Sequence, residues 1–166
     1  INVPADYGRA VWEAVWAEGQ RHGMVAYGTE TMHVLRAEKG YIIVGQETDG
    51  TVTPNDLGLD WAIGKLKADF VGKRSLARPD LVKADRKQLV GLLTTDPAVV
   101  LEEGAQITLG ADPATGTPAL GHVTSSYFSA VLGRSIAMAI VAAGRSRHGT
   151  TLYVPMPGGG FPVTVT

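Results

Sequence analysis

The segment VLRAEKGYIIVGQETDGTVTP, residues 34–54, joins two parts of different texture, and its reading decides the fold. Its first part carries helical spacing and breaks at Gly40, a residue suited to a helix C-terminus. Tyr41 to Val44 form a continuous, β-branched run, which predicts a buried strand. Gly45 to Pro54 then form a polar loop rich in turn formers. Arg36 and Glu38 are two apart on the helical part, so they do not face each other and form no local salt bridge. One is free to pair with a neighbouring element while the other points at a cavity. An arginine beside a groove can hold a carboxylate or carbonyl through paired N–H donors. The plainer alternative is an arginine that fastens helix to loop.

Upstream, PADYGRAVWEAVWAEGQRHG (4–23) reads as a helix. Pro4 suits its first turn, Asp6 its N-terminus and Gly23 its stop. Tyr7, Val11, Ala14 and Val15 share one stripe with Trp12 and Trp16 beside it, so the tryptophans read as core or interface anchors. Met24 to Tyr27 is expected as a short strand, with Thr29 capping the helix that carries Arg36. Downstream, LGLDWAIGKLK (57–67) fits either a strand or a helix end. DFVGKRSLAR (69–78) reads as a helix stopped by Pro79.

From RKQLVGLLTTD (86–96) onward, helical periodicity gives way to short β-rich runs between turn clusters. These are 88–93, 106–109, 120–125, 135–141, 151–155 and 162–165. Runs of this length and spacing predict a small antiparallel barrel or sandwich. The charged, proline-bearing RPDLVKADRK (78–87) marks the boundary, and PMPGGGFP (155–162) reads as a hairpin turn.

Composition limits the chemistry. The 166 residues suffice for one domain or two small ones, with 45% hydrophobic and 19% charged residues. A net charge of −1 gives no electrostatic reason to expect nucleic acid or an anionic membrane as partner. There is no cysteine, so disulfides and thiolate sites are excluded, and a reducing compartment such as the cytoplasm is expected. No apolar run approaches the roughly 20 residues that span a bilayer. The opening INVPADY reads as a strand tail running into a helix, which suggests a piece of a longer polypeptide. His22, His33, His122 and His148 lack metal-ligand spacing, so no metal site is expected. GQETDG (45–50) fits neither a phosphate loop nor a calcium loop. No Gly-x-Ser-x-Gly elbow is present, and SSYFS (125–129) reads as a solvated turn. No residue stands out as catalytic.

HVLRAEKGYIIVGQETDGTVTPNDLGLDWAI (33–63) resembles the Leu-Arg-x-Glu-x-Gly, glycine-broken loop, Thr-Pro and Trp pattern of the glycine-cleavage T-protein, or aminomethyltransferase, family. DFVGKRSL (69–76) looks like that family's Asp-Phe-x-Gly-x-x-x-Leu segment. LVGLL (89–93) and GHVTSSYFSAVLGRSIAMAIV (121–141) look like its C-terminal domain signature. The wording is most similar to the sarcosine-oxidase alpha-subunit branch. The resemblance implies an α+β chain. Residues 1–85 would be the C-terminal part of a folate-binding domain, and 86–166 a small antiparallel β-barrel. It implies tetrahydrofolate as cofactor, with flavin and NAD of the parent enzyme held outside this segment, and other sarcosine oxidase subunits as partners. A one-carbon unit from sarcosine would leave as 5,10-methylenetetrahydrofolate, or as formaldehyde without folate. Arg36 matches the family arginine of the folate or substrate site. Glu38 and Trp61 match neighbouring motif positions, and Tyr27 is a wall of the same site by position. The family's catalytic aspartate and folate-contacting glutamate have no counterpart here, which implies a segment that is silent alone. Related alternatives are a glycine-cleavage aminomethyltransferase, a dimethylglycine-oxidising relative, or a barrel whose role is to join subunits.

Overall fold

The structure, a computed structural model, describes residues 1–166. It divides into two compact units, Ile1–Met32 and His33–Thr166.

In the first unit a 3-10 turn, Ala5–Tyr7, runs into helix α1, Gly8–Gln20. Surface ion pairs dress it, Arg9 with Glu13 and Arg21 with Glu18. No residue of α1 is buried. The tryptophans therefore do not anchor a core within this chain; Trp12 and Trp16 stack on each other, ring centroids 6.0 Å apart. The strand expected over Met24 to Tyr27 is absent. The Met24 N–H instead closes α1 by donating to the Gly19 carbonyl at 2.9 Å.

Helix α2, Thr29–Glu38, takes Thr29 as its first helical residue rather than as a preceding cap. Its end is a Schellman motif. Gly40 adopts a φ of 72°, the Tyr41 N–H donates to the Arg36 carbonyl, and the Gly40 N–H donates to the Ala37 carbonyl. The buried strand predicted for Tyr41 to Val44 does not form; these residues run through loop and turn, with Tyr41 and Val44 exposed. No neighbouring strand offers a ladder, and the Ile43 N–H bonds a side chain, the Glu47 carboxylate, at 2.8 Å. The helix expected over 69–78 is also absent. Gly72, at φ 94°, breaks the segment, and only a 3-10 turn over Ser75–Ala77 remains.

The barrel reading holds. Strands β1 (Lys87–Thr94), β2 (Gln106–Ile107), β3 (Gly121–Ser129), β4 (Arg134–Ala142), β5 (Thr151–Met156) and β6 (Gly159–Val165) form one antiparallel sheet. Its order is β2-β3-β4-β1-β6-β5. Reciprocal bonds between Thr108 and Tyr153, 2.9 and 3.0 Å, join its two ends and leave little open edge. Pro157 and Gly158 make the expected hairpin turn between β5 and β6. Leu92, Ile107, Val123, Val141, Leu152 and Val163 fill the interior and are almost wholly buried. Each contributes about 1.5–3 kcal/mol by leaving water.

The outer face of β3, β4 and β1 bears on the site. The pairing register aligns His122, Ile140 and Leu89 in one row, and Tyr127, Ile136 and Leu93 in another. The end of α2 and the following loop cover part of this face through Ala37 and Ile42. SSYFS, expected as a solvated turn, lies inside β3, with Ser125 and Ser129 fully buried.

Candidate functional site

The centre of the site is a buried ion pair that ties helix, loop and barrel together. The Schellman turn sets Arg36 on the last turn of α2, where its guanidinium reaches the loop that follows. One terminal nitrogen donates to the Glu47 carboxylate at 2.9 Å and to the Tyr41 carbonyl at 3.2 Å. The other donates to the Ser125 hydroxyl at 2.6 Å and to the Gln46 carboxamide oxygen at 2.9 Å. The Ser125 hydroxyl in turn donates to Glu47 at 2.5 Å, so a serine bridges the two charges. Arg36 is 8% exposed and Glu47 1%. The Tyr127 ring lies 5.8 Å from the guanidinium carbon.

A β-bulge makes this possible. On β3, Val123 pairs with Ala139, but Ser125 pairs with Met138, so Thr124 is the extra residue. Without it Ser125 would face the barrel interior. With it, Ser125 shares the outer face with Met138 and meets Arg36. Burial pushes the Glu47 carboxyl up, but the bonds from the Ile43 N–H, Ser125 and Arg36 outweigh it and hold the group below its usual range. Glu47 is thus a carboxylate at neutral pH, committed to the network.

Two more arginines fasten the far end of the loop. Arg86 clamps Asp56 through Nε and a terminal nitrogen, and also donates to the Thr51 carbonyl at 2.7 Å. Arg145 donates to the Asn55 carbonyl at 2.5 Å and the Asp56 carbonyl at 3.2 Å. Asp56 accepts from the N–H and hydroxyl of Thr53 as well. Burial raises the Asp56 carboxyl, and Arg86 and Thr53 together bring it below its usual range. The polar loop is therefore held at both ends by buried or half-buried charge.

Two clefts flank the Arg36 network on the outer sheet face. A polar one of about 430 Å³ is lined by the loop, Lys87 and His122, with Ile140 as its floor. A more apolar one of about 360 Å³ is lined by Glu38, Leu89, Leu93, Ile136 and Met138. Of the residues singled out from sequence, Arg36 lies in the network and Glu38 lines the apolar cleft, where it accepts from the Ser129 hydroxyl at 2.6 Å. Trp61 sits in a 3-10 turn, Asp60–Ala62, and is 74% exposed. Tyr27 belongs to the first unit and is 68% exposed. The structure thus brings Arg36 and Glu38 together on one helix end and leaves both aromatic residues outside the network. Sequence reasoning missed Glu47, Gln46 and Ser125. The signal for Glu47 was an acid inside a loop that matched no ligand-binding pattern. No group of histidine and acidic residues is placed to hold a metal ion. No helix is long and apolar enough to cross a membrane.

The chain matches two family descriptions in order: the GCVT N-terminal domain over residues 1–67, and the glycine cleavage T-protein C-terminal barrel domain over residues 87–166. It is 54% identical over 160 residues to a sarcosine oxidase subunit alpha from Corynebacterium sp. (strain P-1), covering 95% of this chain and 16% of the relative. An aminomethyltransferase from Nitrosomonas eutropha is 34% identical over 145 residues, covering 87% of this chain and 37% of the relative. Among solved structures, glycine cleavage system aminomethyltransferase T from Bartonella henselae superposes with a TM-score of 0.78 at 24% identity, covering 98% of this chain and 43% of that one. The chain therefore spans less than half the length of each of these proteins.

Proposed function

The chain belongs to the glycine-cleavage T-protein family, and from that premise we propose that it is the folate-facing part of a sarcosine oxidase alpha subunit. In this reading it helps hold tetrahydrofolate while other subunits and domains, carrying flavin and NAD, oxidise sarcosine in the cytoplasm. The observation that carries the reading is the contrast in identity: 54% to a sarcosine oxidase subunit alpha, against 34% to an aminomethyltransferase. Tetrahydrofolate, when bound, supplies the nitrogens that accept the one-carbon unit, and the product is 5,10-methylenetetrahydrofolate. An enclosed acceptor captures a reactive one-carbon unit before it diffuses away.

The residues suit such a carrier in kind. Trp61 and Tyr27 each present an exposed ring able to stack on a flat heterocycle or benzoyl group. Glu38 offers a carboxylate beside an apolar cleft. Arg36 serves by position: both terminal nitrogens are engaged within the protein, and only its buried Nε lacks a partner. It fixes the helix end that carries Glu38. The functional division falls at residues 85 and 86, with the barrel bracing the wall from behind.

The test is sarcosine turnover by the enzyme that carries this chain, with and without tetrahydrofolate. The reading expects formaldehyde to fall and 5,10-methylenetetrahydrofolate to rise in step when folate is added. Formaldehyde release unchanged by saturating folate would refute it. A glycine-cleavage aminomethyltransferase would instead leave sarcosine untouched.

A further inference from the structure

The polar cleft carries groups that the folate reading does not use. Its floor is Ile140 on β4. Lys87 on β1 and His122 on β3 flank that floor. His122 pairs with Ile140, and Lys87 pairs with Ala142, two residues further along β4. Lys87 lies two residues from Leu89 and shares its face of the sheet. The two basic side chains thus rise from strands on either side of β4, roughly 12 Å apart at the backbone, given about 4.8 Å per strand spacing and about 3.3 Å per residue along the strand. Both line the cleft together with Ile140.

The opposite wall is the loop over 45–52, and it is rigid. Arg36 takes the Gln46 carboxamide oxygen and the Glu47 carboxylate from behind. Gln46 lines the cleft, and with its oxygen engaged by Arg36 its NH₂ group makes no hydrogen bond within the protein. Thr51 fixes one oxygen of Asp49 through its N–H and its hydroxyl, both at 2.7 Å. Two charges of the cleft are already paired, Glu47 with Arg36 and Arg86 with Asp56, while the Asp49 carboxylate of the same lining accepts only from Thr51 and keeps its charge. The Lys87 ammonium makes no ion pair or hydrogen bond within the chain and the His122 ring no hydrogen bond, although Thr51 first and then the nearby His122 hold the Asp49 carboxyl below its usual range. Lys87, His122 and Gln46 therefore line the cleft around Ile140, with the Asp49 carboxylate in the same lining. Its volume lies within the usual range for small-ligand sites, about 300–1,000 Å³.

We propose that this cleft binds a small organic carboxylate, held between Lys87 and His122 and oriented by the Gln46 side-chain NH₂. Asp49, at the rim, selects against ligands carrying a second negative charge on that side and favours a hydroxyl or ammonium there. The site is independent of the folate reading: it opens beside the polar loop, whereas Glu38 lines the other cleft.

The test uses the full protein that carries this chain, labelled with ¹⁵N at glutamine and histidine and titrated with sodium lactate and, separately, with sodium sulfate at constant ionic strength. Expected are saturable NMR shifts with lactate at the Gln46 side-chain NH₂ and the His122 ring. Lys87→Gln should weaken the lactate response at least fivefold, and His122→Gln at least threefold. Both positions are partly or fully exposed, and unchanged shifts elsewhere in the spectrum show that each variant folds. Three results would overturn the proposal: linear shifts without saturation, equal affinity in both variants, or sulfate binding as tight as lactate.

Discussion

Replacing Glu47 with Gln tests the buried network most sharply. The substitution keeps the shape of the side chain but removes the charge that faces Arg36 at 2.9 Å. Arg36, 8% exposed, is then a buried cation without its counter-ion. Removing one partner of a buried pair costs about 3–5 kcal/mol. The Gln oxygen can still accept one bond, so the lower end, about 3 kcal/mol, is expected. With a urea m-value of about 1–3 kcal/mol/M, the midpoint should fall by about 1–3 M at unchanged m. Arg36→Met should cost a similar amount, because it strands the carboxylate. The double variant, Arg36→Met with Glu47→Gln, should cost clearly less than the sum of the two single losses, leaving a coupling of at least about 2 kcal/mol. Urea unfolding followed by far-ultraviolet circular dichroism reads all three. A Glu47→Gln loss below about 1 kcal/mol, or additive single losses, would refute the view that this pair joins helix, loop and barrel.

Further outcomes follow from the same geometry. Gly121→Ala would place a methyl group 1.8 Å from the Ile140 carbonyl oxygen, so the β3–β4 pairing must open; loss of at least about 3 kcal/mol, or no soluble folded chain, is expected from thermal melts. Ser125→Ala removes the hydroxyl that bridges Arg36 and Glu47 and should cost about 1.5–3 kcal/mol, read by urea unfolding. Glu47 and Asp56 both have carboxyl pKa values held below the usual range, so their stabilisation is fully present above the unfolded value, about 4, and is lost as pH falls through the lower folded values. Urea midpoints should therefore be level from about pH 7 to 5 and drop below that, with a shallower drop in Glu47→Gln.

The barrel was legible because short β-rich runs are punctuated by turn residues, so that each predicted run overlaps an observed strand. The bulge at Thr124 was not. Nothing in GHVTSSYF marks the extra residue, yet it decides that Ser125 faces Arg36 rather than the core. Tyr41 to Val44 misled for a related reason. β-branched residues favour strands only where a ladder exists, and here the Ile43 N–H finds the Glu47 carboxylate instead. Segment 69–78 has helical spacing, but Gly72 takes a left-handed φ that a helix cannot include. At the site, the two-residue spacing of Arg36 and Glu38 correctly separated their directions: one pairs with the loop and the other lines a cleft. The partners of Arg36 lay beyond reach, because Ser125 is 89 residues away in sequence and only the folded sheet brings it near.

The central claim, that the end of α2 and its arginine shape a wall facing a folate, is tested most directly by titrating 5-formyltetrahydrofolate into the enzyme that carries this chain, with and without Arg36→Ala. Because both terminal nitrogens of Arg36 are engaged within the protein, its loss acts through the position of the helix end that carries Glu38, and a rise in Kd of about tenfold, about 1.4 kcal/mol, is expected. An unchanged Kd in a variant that remains folded would contradict the account.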